Sequence, residues 1–322
     1  MGLFNRETFL SQGIDNSAAE LLADLANLGL AKSTHKVYQT AANHVRNCEL
    51  EKNISLDLPF DTPKLLKFLN YLLHDKNLSA KTCDKYLSGI RMLHLRKGYD
   101  IPVLRPAIVS LLLRGREHFE DIENKLNNKE KRIPVSITVM KLLKRRIKKI
   151  NWNESKKRLV WALSCVAWNG SFRIHELLSK KRGEFDPICT LLEQDVNLSN
   201  TKINGVHVGI LKIHLKTQKQ QRIGAGVRIE IFENSSFMCP FKAVRNWIQI
   251  SHLEQKGTMP FFRNETKDCY TGNDFNKDLI ELTKGYLLVG KLRSHSFRSG
   301  VATEMARLGF SDEEIKRQGK HT

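Results

Sequence analysis

Three short patterns in the chain bring together residue types that handle anions. The first is Ala167-Trp168-Asn169-Gly170-Ser171-Phe172-Arg173-Ile174-His175-Glu176-Leu177-Leu178. A glycine breaks the preceding helical stretch, Arg173 follows, and Glu176 shares a helix face with it at i,i+3 spacing. Taken alone, such a pair is equally an ordinary surface or half-buried ion pair. The second is His295-Ser296-Phe297-Arg298. A His and an Arg at i,i+3 at a helix start aim both side chains at one point beside the positive helix terminus, where an anionic group such as a phosphate is stabilised. An isolated His-x-x-Arg also fits a capping or core histidine. The third is Gln318-Gly319-Lys320-His321, with His321 lying 23 residues after Arg298. A histidine near a chain end is by default a solvated side chain.

The elements that must hold these residues are mostly helical. Hydrophobic periodicity predicts a helix from Asn16 through Leu28, a second opening at Ser33-Thr34, and a third at Thr62-Pro63 with an apolar stripe from Leu65 to Leu73. A fourth opens at Ser79, and a fifth runs from Pro106 to about His118. Residues 124–134, NKLNNKEKRIP, read as a linker. A helix from Ser136 follows, with Lys144, Arg145, Arg146, Lys148 and Lys149 on its polar side, then an apolar helix over Leu159–Val166. That basic run is either a nucleic-acid contact or a solvated face. Strand signals appear only in the middle: a turn over Asn200–Gly205, strands at Val206–Val208, Ile210–Leu215 and Val227–Phe232. Helices return after Pro240, from Asn273, around Arg298 and from Ser311. The fold class is therefore mainly α with a small antiparallel β-sheet. The chain divides into a helical N-terminal domain over 1–123, a linker over 124–134, and an α+β domain over 135–322.

The formal net charge is +19. It is uneven. Residues 1–130 hold 18 Lys+Arg against 16 Asp+Glu, whereas residues 131–322 hold 35 against 18. A basic field of this kind attracts polyanions, nucleic acid foremost. No apolar run approaches the roughly 20 residues of a membrane span, and no secretory leader or myristoylation signal opens the chain. The six cysteines are scattered without a CxxC pair, which argues against a zinc site or a disulfide framework and for a reducing compartment.

In this order the three patterns resemble the tyrosine recombinase/integrase family. That family carries an arginine in a Gly-x-x-Arg-x-x-Glu context, a lysine on a β-hairpin, a His-x-x-Arg box, a later His or Trp, and then a tyrosine. Gly170–Arg173–Glu176, Lys216, His295–Arg298 and His321 take those places. The resemblance covers residues 135–322 closely and 16–120 more loosely. The hairpin stretch Leu211–Lys219 is most similar to eukaryotic mobile-element recombinases of the Crypton and DIRS-like kind. They carry Ser-Lys-Thr-Asp where this chain has Leu215-Lys216-Thr217-Gln218; two letters differ, and Lys219 stays a rival for the hairpin lysine.

The resemblance implies a helical core-binding domain followed by a tyrosine-recombinase catalytic domain, closing as a C-shaped clamp on double-stranded DNA. Arg173 and Arg298 would fork onto the non-bridging oxygens of a scissile phosphate. His295 and His321 would donate to the same oxygens or move protons. Lys216 would protonate the leaving 5′-oxygen, and Glu176 would orient Arg173. A tyrosine would attack phosphorus to give a 3′-phosphotyrosyl link. That link preserves the bond energy, so no metal or other cofactor is implied. Lys144, Arg145, Arg146, Lys148, Lys149 and Lys219 are the expected DNA contacts. The resemblance also implies a tetramer on paired sites, with this chain alone a monomer, and a nuclear location for a eukaryotic source or a cytoplasmic one otherwise.

The family's tyrosine should follow His321 closely, yet the tyrosines are Tyr38, Tyr71, Tyr86, Tyr99, Tyr270 and Tyr286. Tyr286 reads as a core residue. Two readings stay open: a recombinase or transposase whose nucleophile is missing from this chain by truncation, and a catalytically inactive, transposon-derived protein that binds specific DNA. A third, a basic RNA-binding or scaffold protein, would tolerate loss of Arg173.

Overall fold

The computed structural model describes residues 4–99, 106–126, 132–216, 226–251 and 257–320. Two compact units share the chain, Met1–Lys129 and Glu130–Thr322. The expected hairpin lysine Lys219, the distal His321, and residues 127–131 of the expected linker lie outside the described residues.

The first unit is all helical: α1 (Arg6–Leu10), α2 (Asn16–Leu28), α3 (Lys32–Lys52), α4 (Thr62–Asn70) continued by a π turn at Tyr71–Asp75, α5 (Ala80–Arg96) and α6 (Ala107–Leu126). Local chemistry sets the starts. Asp15 caps α2, accepting from the amides of Ser17 and Ala18. Asp61 caps α4 ahead of Pro63, and Ser79 caps α5. The core is Phe60, Leu65, Phe68, Leu69, Tyr71 and Leu72 against Cys83, Leu87 and Ile90, with Val109 and Leu113 from α6. α3 and α5 cross at Ala41 and Gly89, where a methyl on Gly89 would stand 2.6 Å from the Ala41 Cβ. Buried His94 ties the loop before α4 to α5: the Phe60 amide donates to its Nε2 at 2.8 Å, and its Nδ1 meets the Ile90 carbonyl at 2.8 Å.

The second unit is α7 (Ile137–Lys149), α8 (Glu154–Asn169), α9 (Ile174–Leu177), a three-stranded antiparallel sheet of β1 (Val196–Ile203), β2 (Val206–Leu215) and β3 (Val227–Phe232), then α10 (Pro240–Ser251), α11 (Gly272–Thr283), α12 (Ser294–Arg307) and α13 (Asp312–Lys320). α8 is the spine. Its apolar face, Leu159 to Ala167, is buried in one core with Phe172, Trp247, Phe262, Phe275 and Phe297. β1 departs from the sequence expectation. The stretch assigned to a turn over Asn200–Gly205 is strand as far as Ile203, paired with Val206. Only Asn204 and Gly205 turn, both with left-handed φ, +49° and +81°. The polar Asn-Leu-Ser-Asn-Thr-Lys sequence hid this strand because most of it faces solvent.

α6 runs to Leu126, into the stretch read as linker, and residues 132–135 are tied down. The Ile133 amide donates to the Lys291 carbonyl and the Val135 amide to the Ser296 carbonyl. Tyr286 is 43% exposed, with the Arg146 guanidinium over its ring. The expectation of a core tyrosine is thus corrected: it sits in the short segment after α11, whose apolar residues Leu287 and Val289 are also exposed.

Candidate active site

α8 ends in a tight turn that delivers Arg173. The Ser171 amide donates to the Trp168 carbonyl and the Phe172 amide to the Ala167 carbonyl, closing the helix end. Ser171, not Gly170, takes the left-handed conformation, at φ +49°. Gly170 is required for another reason: the Phe172 ring occupies its Cβ position, with a ring carbon 2.0 Å from where that atom would stand. The buried Phe172 thereby folds the chain back, and the next residue faces outward as the start of α9. Glu176 fixes it there. Its Oε2 accepts from the Arg173 amide at 2.7 Å, and its Oε1 from Arg173 Nη1 at 2.8 Å. The carboxylate is almost wholly buried while the guanidinium stays partly exposed. Among the described residues the cation is therefore held through one edge, with part of its donor fork left for a ligand.

Arg298 reaches the same place from a part of the chain 127 residues away from Ser171, donating through Nη1 to the Ser171 carbonyl at 2.8 Å. Burial, and then the charge of Arg173, hold the Arg298 guanidinium below its ordinary value, with Glu176 opposing. Two guanidiniums thus converge on one turn, with the Glu176 carboxylate beside them already engaged by Arg173. An anion placed between them relieves that repulsion. His295, on the first turn of α12, is exposed.

α12 is positioned from three sides. Its first amide, on Ser294, donates to Asn276 Oδ1 of α11 at 2.8 Å. Ser296 Oγ accepts from the Arg293 amide. The extended segment at Val135 lies across it so closely that a methyl on Gly300 would stand 2.1 Å from the Val135 carbonyl oxygen. That carbonyl accepts from Trp168 Nε1 at 2.9 Å. Val135 therefore joins α8, which delivers Arg173, to α12, which carries His295 and Arg298.

Lys216 lies just beyond β2. Its Nζ pairs with Asp195 Oδ2 at 2.6 Å and donates to the Pro187 carbonyl at 2.7 Å. It borders a narrow crevice shared with Glu176, Cys189 and His214, so the hairpin approaches the arginine pair from the Glu176 side. Arg173 is bonded to Glu176 and Arg298 to the Ser171 carbonyl of the same turn, whereas Lys216 is engaged by Asp195.

The basic run on α7 divides. Lys144 donates to the Phe237 carbonyl and lies over the Trp161 and Phe237 rings. Arg146 donates to the Leu282 carbonyl and covers Tyr286. Arg145, Lys148 and Lys149 are exposed, and Lys141 extends their stripe. The sequence reading missed Lys141, although its spacing four residues before Arg145 signalled it. It also missed Asp195, Asn276, Trp168 and the Ser171 carbonyl. Their roles depend on neighbours far along the chain, and Gly300 was the only local sign of a close approach. Among the described residues no group of three or more His, Cys, Asp or Glu could hold a metal ion, and no helix is long and apolar enough to cross a membrane.

No protein-family model matches the chain, and no curated protein matches it. Solved structures do. The Tn1549 transposon integrase in complex with transposon right end DNA superposes with a TM-score of 0.56 at 14% identity, over 100% of this chain and 92% of that one. The XerH site-specific recombinase in a post-cleavage complex with palindromic difH substrate gives 0.55 at 13%, over 92% and 74%. In the XerH pre-cleavage complex, at a TM-score of 0.49, the chain spans 63% of that protein's length. The fold of this chain is that of the tyrosine recombinases. At these identities the likeness is one of architecture, and the chemistry has to be argued from the chain's own residues.

Proposed function

We propose that this chain is the DNA-gripping part of a tyrosine recombinase or transposase acting on double-stranded DNA, and that it binds a scissile phosphate between Arg173 and Arg298, with the nucleophile missing from the chain itself. The observation that carries this reading is the convergence of the two guanidiniums on the Ser171 turn, one clamped by a buried carboxylate and the other hydrogen-bonded to the turn's carbonyl. Fixed donors aimed at a phosphoryl centre stabilise the charge that develops as the centre becomes pentacoordinate. His295, and His321 beyond the described residues, add donors near the same point of the sequence pattern. Lys216, or Lys219 in the same hairpin, supplies the proton to the leaving 5′-oxygen. In the first case the Asp195 pairing must open when DNA enters. The attacking tyrosine of this chemistry is not among Tyr38, Tyr71, Tyr86, Tyr99, Tyr270 and Tyr286, none of which lies close after His321. Glu176 acts through Arg173.

The exposed stripe Lys141, Arg145, Lys148 and Lys149 supplies phosphate contacts. The first unit presents a different surface. Lys36, Gln39, Asn43 and Arg46 follow one exposed face of α3, and amide and cationic side chains of these types read base edges. The residues Leu215-Lys216-Thr217-Gln218 place the chain, in our reading, with eukaryotic mobile-element recombinases, for which the nucleus is the working compartment. Assembly into a tetramer on paired sites belongs to the same reading.

The test is a nicked duplex carrying a site selected from a random pool. The complete gene product is expected to form a covalent adduct on it, reduced about 100-fold or more by Arg173→Ala or Arg298→Ala. Specific binding by that product without any adduct would instead establish a DNA-binding protein that has kept the recombinase fold.

A further inference from the structure

The first unit carries an apolar stripe that its own core does not use. On α6, Ile108, Leu112, Phe119, Ile122 and Leu126 are all exposed. With Gly115 they lie four, three, four, three and four residues apart, the seven-residue repeat of a helix that packs lengthwise on another helix. The unit's core takes a different side of the same helix, through Val109 and Leu113, with Arg116 held by Glu120 and Asn77. The stripe is therefore not a helix docked the wrong way round.

Gly115 is the informative residue. A glycine in a helix interior costs about 1 kcal/mol relative to alanine. Among the described residues nothing outside the helix's own backbone lies within 4 Å of the position its Cβ would take, and its φ is not left-handed. Neither close packing among the described residues nor backbone conformation explains it. A bulky side chain arriving from outside would.

We propose that the α6 stripe is a self-association surface, on which a second copy of this chain docks its own α6 antiparallel about a twofold axis. One register engages all six positions. Ile108 meets Leu126 of the second copy, Leu112 meets Ile122, and Gly115 receives the Phe119 ring, with each contact repeated by symmetry. The largest side chain of the stripe thus faces its only gap, twice. No other register of two antiparallel copies pairs Phe119 with Gly115 while using both ends of the stripe. Such a contact is isologous and closes as a dimer. A single helix pair is small for a protein–protein interface, so the dimer forms and dissociates with concentration. The proposal is independent of the DNA chemistry assigned to the second unit.

Sedimentation velocity of the DNA-free protein over a concentration series tests it. The wild-type chain is expected to shift from monomer to dimer. Gly115→Leu fills the receiving gap without touching its own chain, and it raises helix propensity. It should leave the circular dichroism melt intact or improved while weakening the dimer at least tenfold. Phe119→Glu should do the same, and Leu28→Glu, on an exposed apolar residue of α2, should leave the dimer unchanged. The register is read by cross-linking. A chain with both Leu112→Cys and Ile122→Cys should oxidise to a covalent dimer, whereas either substitution alone should add nothing to the wild-type background. A monomer at every concentration, a Gly115→Leu chain that associates like the wild type, or an associating chain whose paired cysteines do not cross-link would each overturn the proposal.

Discussion

The two units solve different problems with the same helical material. The second carries nearly all the excess charge, with 35 Lys+Arg against 18 Asp+Glu over residues 131–322, and buries a large aromatic core beneath it. The first is close to neutral over residues 1–130 and leaves large apolar side chains of α2 and α6 in the open. The contrast teaches where rigidity is spent. Phe172, Glu176, Val135 and Gly300 are all committed to holding two arginines in one place, and each tolerates little change. The first unit keeps a smaller core and leaves exposed apolar side chains on α2 and α6.

The largest effect should separate two phenylalanines. Phe172→Ala empties a fully buried site whose ring shapes the Arg173 turn, and should destabilise the second unit by about 3–5 kcal/mol. Phe119→Ala on exposed α6 should change the monomer's stability by less than about 0.5 kcal/mol. Urea melts of both variants at low protein concentration decide this; equal losses would erase the contrast.

A smaller effect concerns charge. Lys148→Glu and Lys149→Glu, on the exposed side of α7, should each lower the steepness of the log affinity–log salt plot for DNA by about 0.9 per lost phosphate contact. Substituting Lys144, which is packed on Trp161 and Phe237, should cost stability more than salt dependence. Filter-binding titrations at several salt concentrations separate the two.

The smallest is a pH effect confined to the first unit. His44 packs beside Tyr86 and Tyr71 with Nδ1 buried and unbonded among the described residues. Burial, then the nearby Lys76 charge, lowers its pKa from the ordinary 6.5. A histidine with a depressed folded-state value takes up its proton more readily when unfolded. Its contribution is therefore complete above 6.5 and is lost as pH falls through the folded value. Melts of the first unit's transition at pH 7.5 and 5.5 should show this loss, and His44→Gln should flatten it.

Much of the second unit was legible in the sequence because its key residues are chemically unusual. Arg173, Glu176, His295 and Arg298 sit at spacings that a helix start or a helix face makes meaningful, and Ser136 and Ser311 mark helix starts by their capping chemistry, as Ser79 does in the first unit. The pairing of Arg298 with the Ser171 carbonyl was not legible, since no local pattern encodes a contact across more than a hundred residues. β1 was hidden by its polar face. Tyr286 was misplaced because an aromatic residue beside apolar neighbours normally signals a core, and here Tyr286, Leu287 and Val289 are exposed while only Leu288 of the segment packs on the core. The basic run on α7 announced a charged face, but only the packing showed that Lys144 and Arg146 are spent on internal contacts.

The proposed site requires Arg173 and Arg298 to grip one particular phosphate. A coupling experiment on a selected DNA site tests this by replacing single phosphates along each strand with neutral methylphosphonates. One position is expected at which the neutral linkage weakens wild-type binding but adds no further loss to an Arg173→Ala/Arg298→Ala double variant. If every position weakens the double variant as much as the wild type, the two arginines do not hold a phosphate, and the assignment of this site is wrong.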